Sequence, residues 1–144
     1  MSAPELTLYF DGLCPFCSME MQRLRRWNHA GKLAFVDVTD VSFDPKDIGV
    51  EMEDLDRELH GKSRDGQLLI GIDCILSAYS LVGRGYLVLP LRVRFLRPIL
   101  SQLYRKFARH RYQISRFLGL KPRMLCESGH CQMKHPYFSD KVQR

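Results

Sequence analysis

Cys14-Pro15-Phe16-Cys17 sets two of the five cysteines three residues apart, and of all the motifs in the chain this one implies a specific chemistry. A disulfide is attacked by a thiolate, and a free cysteine with a pKa of roughly 8.5 is only sparingly ionised at neutral pH. Pro15 suits the first position of a helix, where its missing N–H costs nothing and its fixed φ is already helical. Cys14 then falls at the N-cap, beside unpaired N–H groups and the positive end of the helix dipole, so its pKa is expected to be lowered. Cys17, one turn further in, is expected to be the less accessible thiol and to gain no such help. Sulfurs at this spacing can close a disulfide, with Cys14 attacking a substrate and Cys17 resolving the mixed disulfide. Neither Pro15 nor Phe16 adds positive charge, which predicts a moderate reductant rather than a strong oxidant.

Other residues bear on the same chemistry. Asp11, three positions before Cys14, is a candidate proton acceptor during resolution, although its charge also opposes thiolate formation, so its net effect has no sign at this level. Asp37 is a second acceptor candidate, with a plain solvated aspartate as the competing reading. The CxxC pair also fits one half of a structural zinc site, completed by Cys126, Cys131, His130 and His135. Zinc half-sites usually sit on knuckles and loops, whereas this pair opens a helix just after a strand, and that context favours redox. Cys74, at a helix start, reads as a small core residue. Cys126 and Cys131 read as an inert tail or as a second exchangeable pair. No cofactor is called for.

The elements that must carry these residues follow from periodicity and breakers. Leu6 to Phe10 reads as a buried strand ended by Asp11-Gly12, and the helix from Pro15 runs to about Trp27, with Gly31 as its stop. Leu33 to Val38 is the next strand, and a strand, helix, strand unit this short implies parallel pairing by a right-handed crossover. Residues 39–50 read as a loop and 51–60 as a short acidic helix. Arg64-Asp65-Gly66 between strand-like flanks predicts an antiparallel hairpin, followed by a helix from about Asp73 to Val82. From Gly85 to Leu120 the pattern is helical and basic, broken at Pro90 and Pro98, with Leu96, Ile99, Leu100, Leu103, Phe107, Ile114 and Phe117 available for burial. The expected organisation is a core over residues 1–83, a basic helical extension over 84–121 packed on it, and a partly mobile tail over 122–144.

At 144 residues, 45% hydrophobic and 26% charged, the chain is sized for one domain with a real core. The net charge of +6 is unevenly spread: residues 1–73 hold 8 Lys and Arg against 14 Asp and Glu, residues 74–126 hold 11 against none. Such a block can attract an acidic partner or an anionic surface. Leu87, Val88, Leu91, Phe95 and Leu96 among arginines suit a peripheral contact with anionic membrane. A nucleic-acid reading is disfavoured, since aromatics at helical spacing are more often core and arginines on helix faces are usually solvated. The apolar run Tyr86 to Leu91 is far short of the roughly 20 residues of a spanning helix. Met1 to Glu5 has no basic n-region, so neither signal nor transit peptide is expected, and the expected location is cytoplasmic.

The run Tyr9-Phe10-Asp11-Gly12-Leu13-Cys14-Pro15-Phe16-Cys17, the Arg-rich helix after it and Phe35-Val36-Asp37-Val38 together resemble the DCC family of thiol-disulfide oxidoreductases, named for Asp-x-x-Cys-x-x-Cys. His60-Gly61, Asp65-Gly66, Gly71, Leu89-Pro90-Leu91 and Leu96-Arg97-Pro98 extend the likeness over residues 6–118. The resemblance implies an α/β, thioredoxin-like mixed sheet, made of a β-α-β unit plus a β-hairpin and helix, with the basic helical extension at its C-terminal side. It implies exchange of the Cys14-Cys17 dithiol with a disulfide-containing protein or small molecule, supplied by an electron donor of unknown identity. No proline precedes the presumed third strand; Leu59 to Lys62 stand there, which makes His60 a candidate to line the site. The alternative is a zinc-stabilised or redox-inert module that binds acidic partners through its basic helices.

Overall fold

The computed structural model describes residues 3–120, and the strand backbone of 125–127 and 130–132. Strand β1 (Leu6–Phe10) alternates, with Leu6, Leu8 and Phe10 buried on one face, as a period of two requires. Helix α1 (Pro15–Trp27) carries the chain across to β2 (Leu33–Asp37), which pairs parallel to β1 from Leu6 with Leu33 to Phe10 with Asp37. Strand β3 (His60–Ser63) pairs antiparallel to the other side of β1, and β4 (Leu68–Ile70) pairs antiparallel to β3. The sheet order is β2-β1-β3-β4, the mixed sheet of a thioredoxin-like fold. The hairpin closes where Gly66 takes φ +83°, a conformation glycine adopts without a Cβ penalty.

The main core forms where Leu6, Leu8 and Phe10 meet Met21 and Leu24 of α1 and Cys74, Ala78 and Tyr79 of α3 (Ile72–Leu81). A smaller cluster of Val38, Ile48 and Leu55 gathers Tyr9, Phe43 and Met52 around it. The acidic helix is shorter than its sequence suggests: α2 covers Met52–Arg57, because Glu58 is already extended and leads into β3.

The basic segment departs from expectation in two ways. Pro90 lies inside a 3₁₀ segment at Gly85–Arg92, whereas Pro98 sits in the first turn of α4 (Arg97–Phe117) and starts that helix rather than breaking it. The buried positions of α4 are Ala108, Arg111 and Ser115, while Ile99 and Leu103 are each 58% exposed and Phe117 is 92% exposed. Hydrophobicity alone did not choose the docked face. Ala108 lets the helix approach closely, and Arg111 finds carboxylate partners there. The tail's expected mobility, and His130 and His135 as ligands, lie outside the described residues. The strand backbones β5 (Leu125–Glu127) and β6 (His130–Gln132) pair with Cys126 opposite Cys131.

Candidate redox site

The site begins at the exit of β1. Gly12 N–H donates to Asp37 Oδ1 at 3.0 Å, and a Cβ on Gly12 would stand 1.7 Å from Asp37 Oδ2, so only glycine lets the two strand ends approach this way. Asp37 Oδ1 also accepts from Thr39 N–H at 2.9 Å and Thr39 Oγ1 at 2.6 Å. Asp37 thus holds the turn through Oδ1. Asp11 holds the next step: its Oδ1 accepts from Leu13 N–H at 2.9 Å and Cys14 N–H at 3.2 Å. These bonds deliver the chain to α1 with Cys14 as N-cap and Pro15 as the first helical residue.

Cys14 Sγ accepts from Cys17 N–H at 3.4 Å, within reach for sulfur. Its pKa is lowered, first by the hydrogen bond from the Cys17 thiol, then by the Cys17 N–H and the nearby charge of Arg111; burial and Asp11 act against them. The Cys17 thiol is pushed well above the usual range, because it donates to Cys14, is buried, and would share the site with a second negative sulfur. The direction of this asymmetry is the one expected at an N-cap, but its largest cause is the Cys17 thiol, with the helix N–H second among the groups that lower the Cys14 pKa. The asymmetry of access is the reverse of the expected one: Cys14 is 0% exposed and Cys17 is partly exposed. The reason lies in tertiary packing, since α4 crosses the start of α1, with Phe107 meeting Phe16 edge-to-face at 4.8 Å between ring centroids.

Helix α4 also supplies groups that no local pattern marks. Arg111 Nη2 donates to Asp11 Oδ2 at 2.9 Å and to Asp56 Oδ1 at 2.5 Å, and Tyr112 Oη donates to Asp11 Oδ2. Asp11 and Arg111 are both buried, so each offsets the desolvation of the other. The available clue was indirect: an aspartate beside a cysteine, in a chain whose cations crowd the other half, needs one of them.

A cavity of about 400 Å³ opens beside Cys17, walled by apolar residues of β1, α1, α3 and α4. A larger cleft, about 840 Å³, is lined by charged side chains such as Arg57, Asp73 and Arg97 and holds no cysteine, so the chemistry is not there. His60 lines that cleft instead of the redox site, with its Nδ1 2.8 Å from Glu58 O. Alternation along the strand explains the placement, since Leu59 faces the cavity beside Cys17 and its neighbour must point away. Cys74 is 0% exposed under Gly61, where a Cβ would come within 2.7 Å of its sulfur. Among the described residues, no three His, Cys, Asp or Glu side chains converge to hold a metal, and no helix is long and apolar enough to cross a membrane.

A thioredoxin-like sheet that delivers a CxxC pair to a helix start defines the thiol-disulfide oxidoreductase class of protein. Comparison with known proteins agrees. The chain belongs to the DCC1-like thiol-disulfide oxidoreductase family, whose family model matches residues 8–117, from β1 through the end of α4. It is also similar to a protein of Arabidopsis thaliana described as uncharacterized and chloroplastic, 24% identical over 113 residues. That match covers 77% of this chain and 53% of the relative, so the chain spans about half the relative's length. No solved structure matches the chain.

Proposed function

We propose that the protein exchanges a Cys14-Cys17 dithiol for a disulfide, with Cys14 as the attacking thiolate and Cys17 as the resolving thiol. The supporting observation is the geometry of the helix start: Cys14 is the N-cap of α1 and its Sγ accepts from Cys17 N–H at 3.4 Å, an arrangement that lowers the pKa of Cys14 while the Cys17 thiol is raised. Attack by Cys14 forms a mixed disulfide and expels the first substrate sulfur as a thiolate. Cys17 then passes its proton to a departing substrate sulfur and attacks Cys14 Sγ, so that the substrate leaves as one thiolate and one thiol; two electrons pass to the substrate and the protein disulfide closes. A thiol donor reverses the change. Because Cys14 is covered, its attack requires the α4 turn around Arg111 to lift or the Cys17 side chain to swing aside. Asp11, with both oxygens engaged, acts as a positioning residue for the Cys14 backbone. A reducing compartment such as the cytoplasm suits a pair kept as a dithiol.

The deciding experiment is alkylation against pH for wild type, Cys14→Ser and Cys17→Ser, together with reduction of insulin disulfides. The reading expects Cys14 to titrate below an ordinary thiol and Cys14→Ser to be inactive. An ordinary Cys14 titration, with full insulin reduction by Cys14→Ser, rules it out.

Peripheral contact with anionic membrane is a further reading of the basic half. Of the residues expected at such a contact, Val88 is buried in the main core and Leu91 and Leu96 are half-buried, whereas Leu87 and Phe95 are exposed together with Leu89 and Ile99, in a stretch that carries arginines and no acidic residue. Co-sedimentation with phosphatidylserine vesicles that is weakened by salt and absent with phosphatidylcholine is the expected result.

A further inference from the structure

The cavity beside Cys17 says more about the substrate than the cysteine pair does. Its walls include Phe16, Met21, Ile75, Val88 and Phe107, and Cys17 is the cysteine that lines it. The charged groups that reach it are already paired. Glu20 receives Tyr79 Oη and lies 3.3 Å from Arg23, Glu58 lies 3.0 Å from Arg105, and Arg111 lies 2.9 Å from Asp11. Tyr104 Oη accepts from Leu59 N–H at 3.0 Å. A charged ligand entering here would lose water and find its counter-charges occupied, so its desolvation would go uncompensated. An uncharged apolar ligand loses nothing comparable and gains from burial. The cavity is about 400 Å³. A dry apolar cavity of roughly 150 Å³ accepts one benzene, so this space has room for about two aromatic rings.

We propose that the cavity seats the rings of a small uncharged diaryl disulfide, with its S–S bond at the Cys17 wall, where Cys14 reaches it once the Cys17 side chain swings aside, and that this class is the protein's preferred substrate. The proposal rests on the exchange reading above and adds the substrate class. The step balances: the Cys14 thiolate and Cys17 thiol become a disulfide, and the diaryl disulfide takes their two electrons and leaves as one arylthiolate and one arylthiol. Glutathione disulfide, with its several charges, is disfavoured by the same walls.

The test uses the full chain, reduced and freed of reductant, in single-turnover reaction with 4,4′-dithiodipyridine or glutathione disulfide. Aryl disulfides are intrinsically quick to react, so the rate ratio is divided by the same ratio for dithiothreitol. The expected excess is about tenfold or more, equivalent to 1.4 kcal/mol. The sulfur-free isostere 1,2-di(4-pyridyl)ethane should compete with dithiodipyridine and slow alkylation of the Cys14-Cys17 pair, and Ala108→Trp should weaken that competition about tenfold by filling the cavity. A corrected ratio near one, with no competition by dipyridylethane on wild type, overturns the substrate class and leaves thiol exchange standing, whether or not Ala108→Trp folds. Dipyridylethane binding without reduction of either disulfide overturns the proposal through the exchange reading, the cavity itself being confirmed.

Discussion

Arg111 meets Asp11 at 2.9 Å across one hundred positions of sequence, with both side chains buried, and so ties the last helix to the turn that presents Cys14. The same guanidinium reaches Asp56 at 2.5 Å, which brings α2 into the tie. Stability, ionisation of Cys14 and access to it therefore share one contact.

Arg111→Met should destabilise the protein by about 3–5 kcal/mol, since it leaves Asp11 buried without its cation. It should also raise the Cys14 pKa, because Arg111 is among the groups that lower it. Urea denaturation and the pH profile of alkylation read the two effects separately. The sign follows from linkage. A Cys14 pKa lowered on folding adds stability above the ordinary thiol range, and that contribution is lost as pH falls through the folded value. Arg111→Met should shrink this pH-dependent part in the reduced protein.

Gly12→Ala places a Cβ against the Asp37 carboxylate and should cost roughly 1–3 kcal/mol by overpacking. Asp37→Ala should itself destabilise by removing the acceptor for Gly12 and Thr39. Because the clash needs both groups, the double variant should be more stable than the sum of the single losses predicts. Additive losses in a double-mutant cycle, measured by urea denaturation, would show that the strand ends do not meet here.

Cys74 is fully buried and burial pushes its thiol up to about 12, with Asp73 adding to the rise. In the unfolded chain this thiol ionises near its ordinary value, so folding loses stability as pH rises from there toward the folded value. At 1.36 kcal/mol per unit, the loss at pH 10.5 is on the order of 2 kcal/mol. Thermal melts between pH 8 and 11, under reductant, should therefore slope less steeply for Cys74→Ala than for wild type.

The two faces of α4 should respond differently to truncation. Ile99→Ser and Leu103→Ser alter exposed positions and should change stability by no more than about 0.5 kcal/mol. Phe107→Ala removes the ring that meets Phe16 and should cost roughly 2 kcal/mol. Equal losses on both faces, measured by chemical denaturation, would place the helix in another rotation.

By itself the sequence determined what is decided within a turn or a hairpin. Pro15 after Cys14 announces a helix start, the alternation of Leu6, Leu8 and Phe10 announces a strand with one buried face, and Asp65-Gly66 announces the hairpin, because capping, side-chain period and turn chemistry act between residues a few positions apart. The order of ionisation of Cys14 and Cys17 was legible for the same reason, being set largely by the hydrogen bonds of one helical turn. Tertiary structure alone decided which arginine of the acid-free half neutralises Asp11, which face of α4 is buried, that Asp37 Oδ1 receives Gly12 and Thr39, and that Cys17 rather than Cys14 opens to the cavity. Those outcomes depend on how a helix near residue 110 lies across one that begins near residue 15. Such packing is settled by shape and by the pairing of buried charge, and neither leaves a periodic trace in the chain.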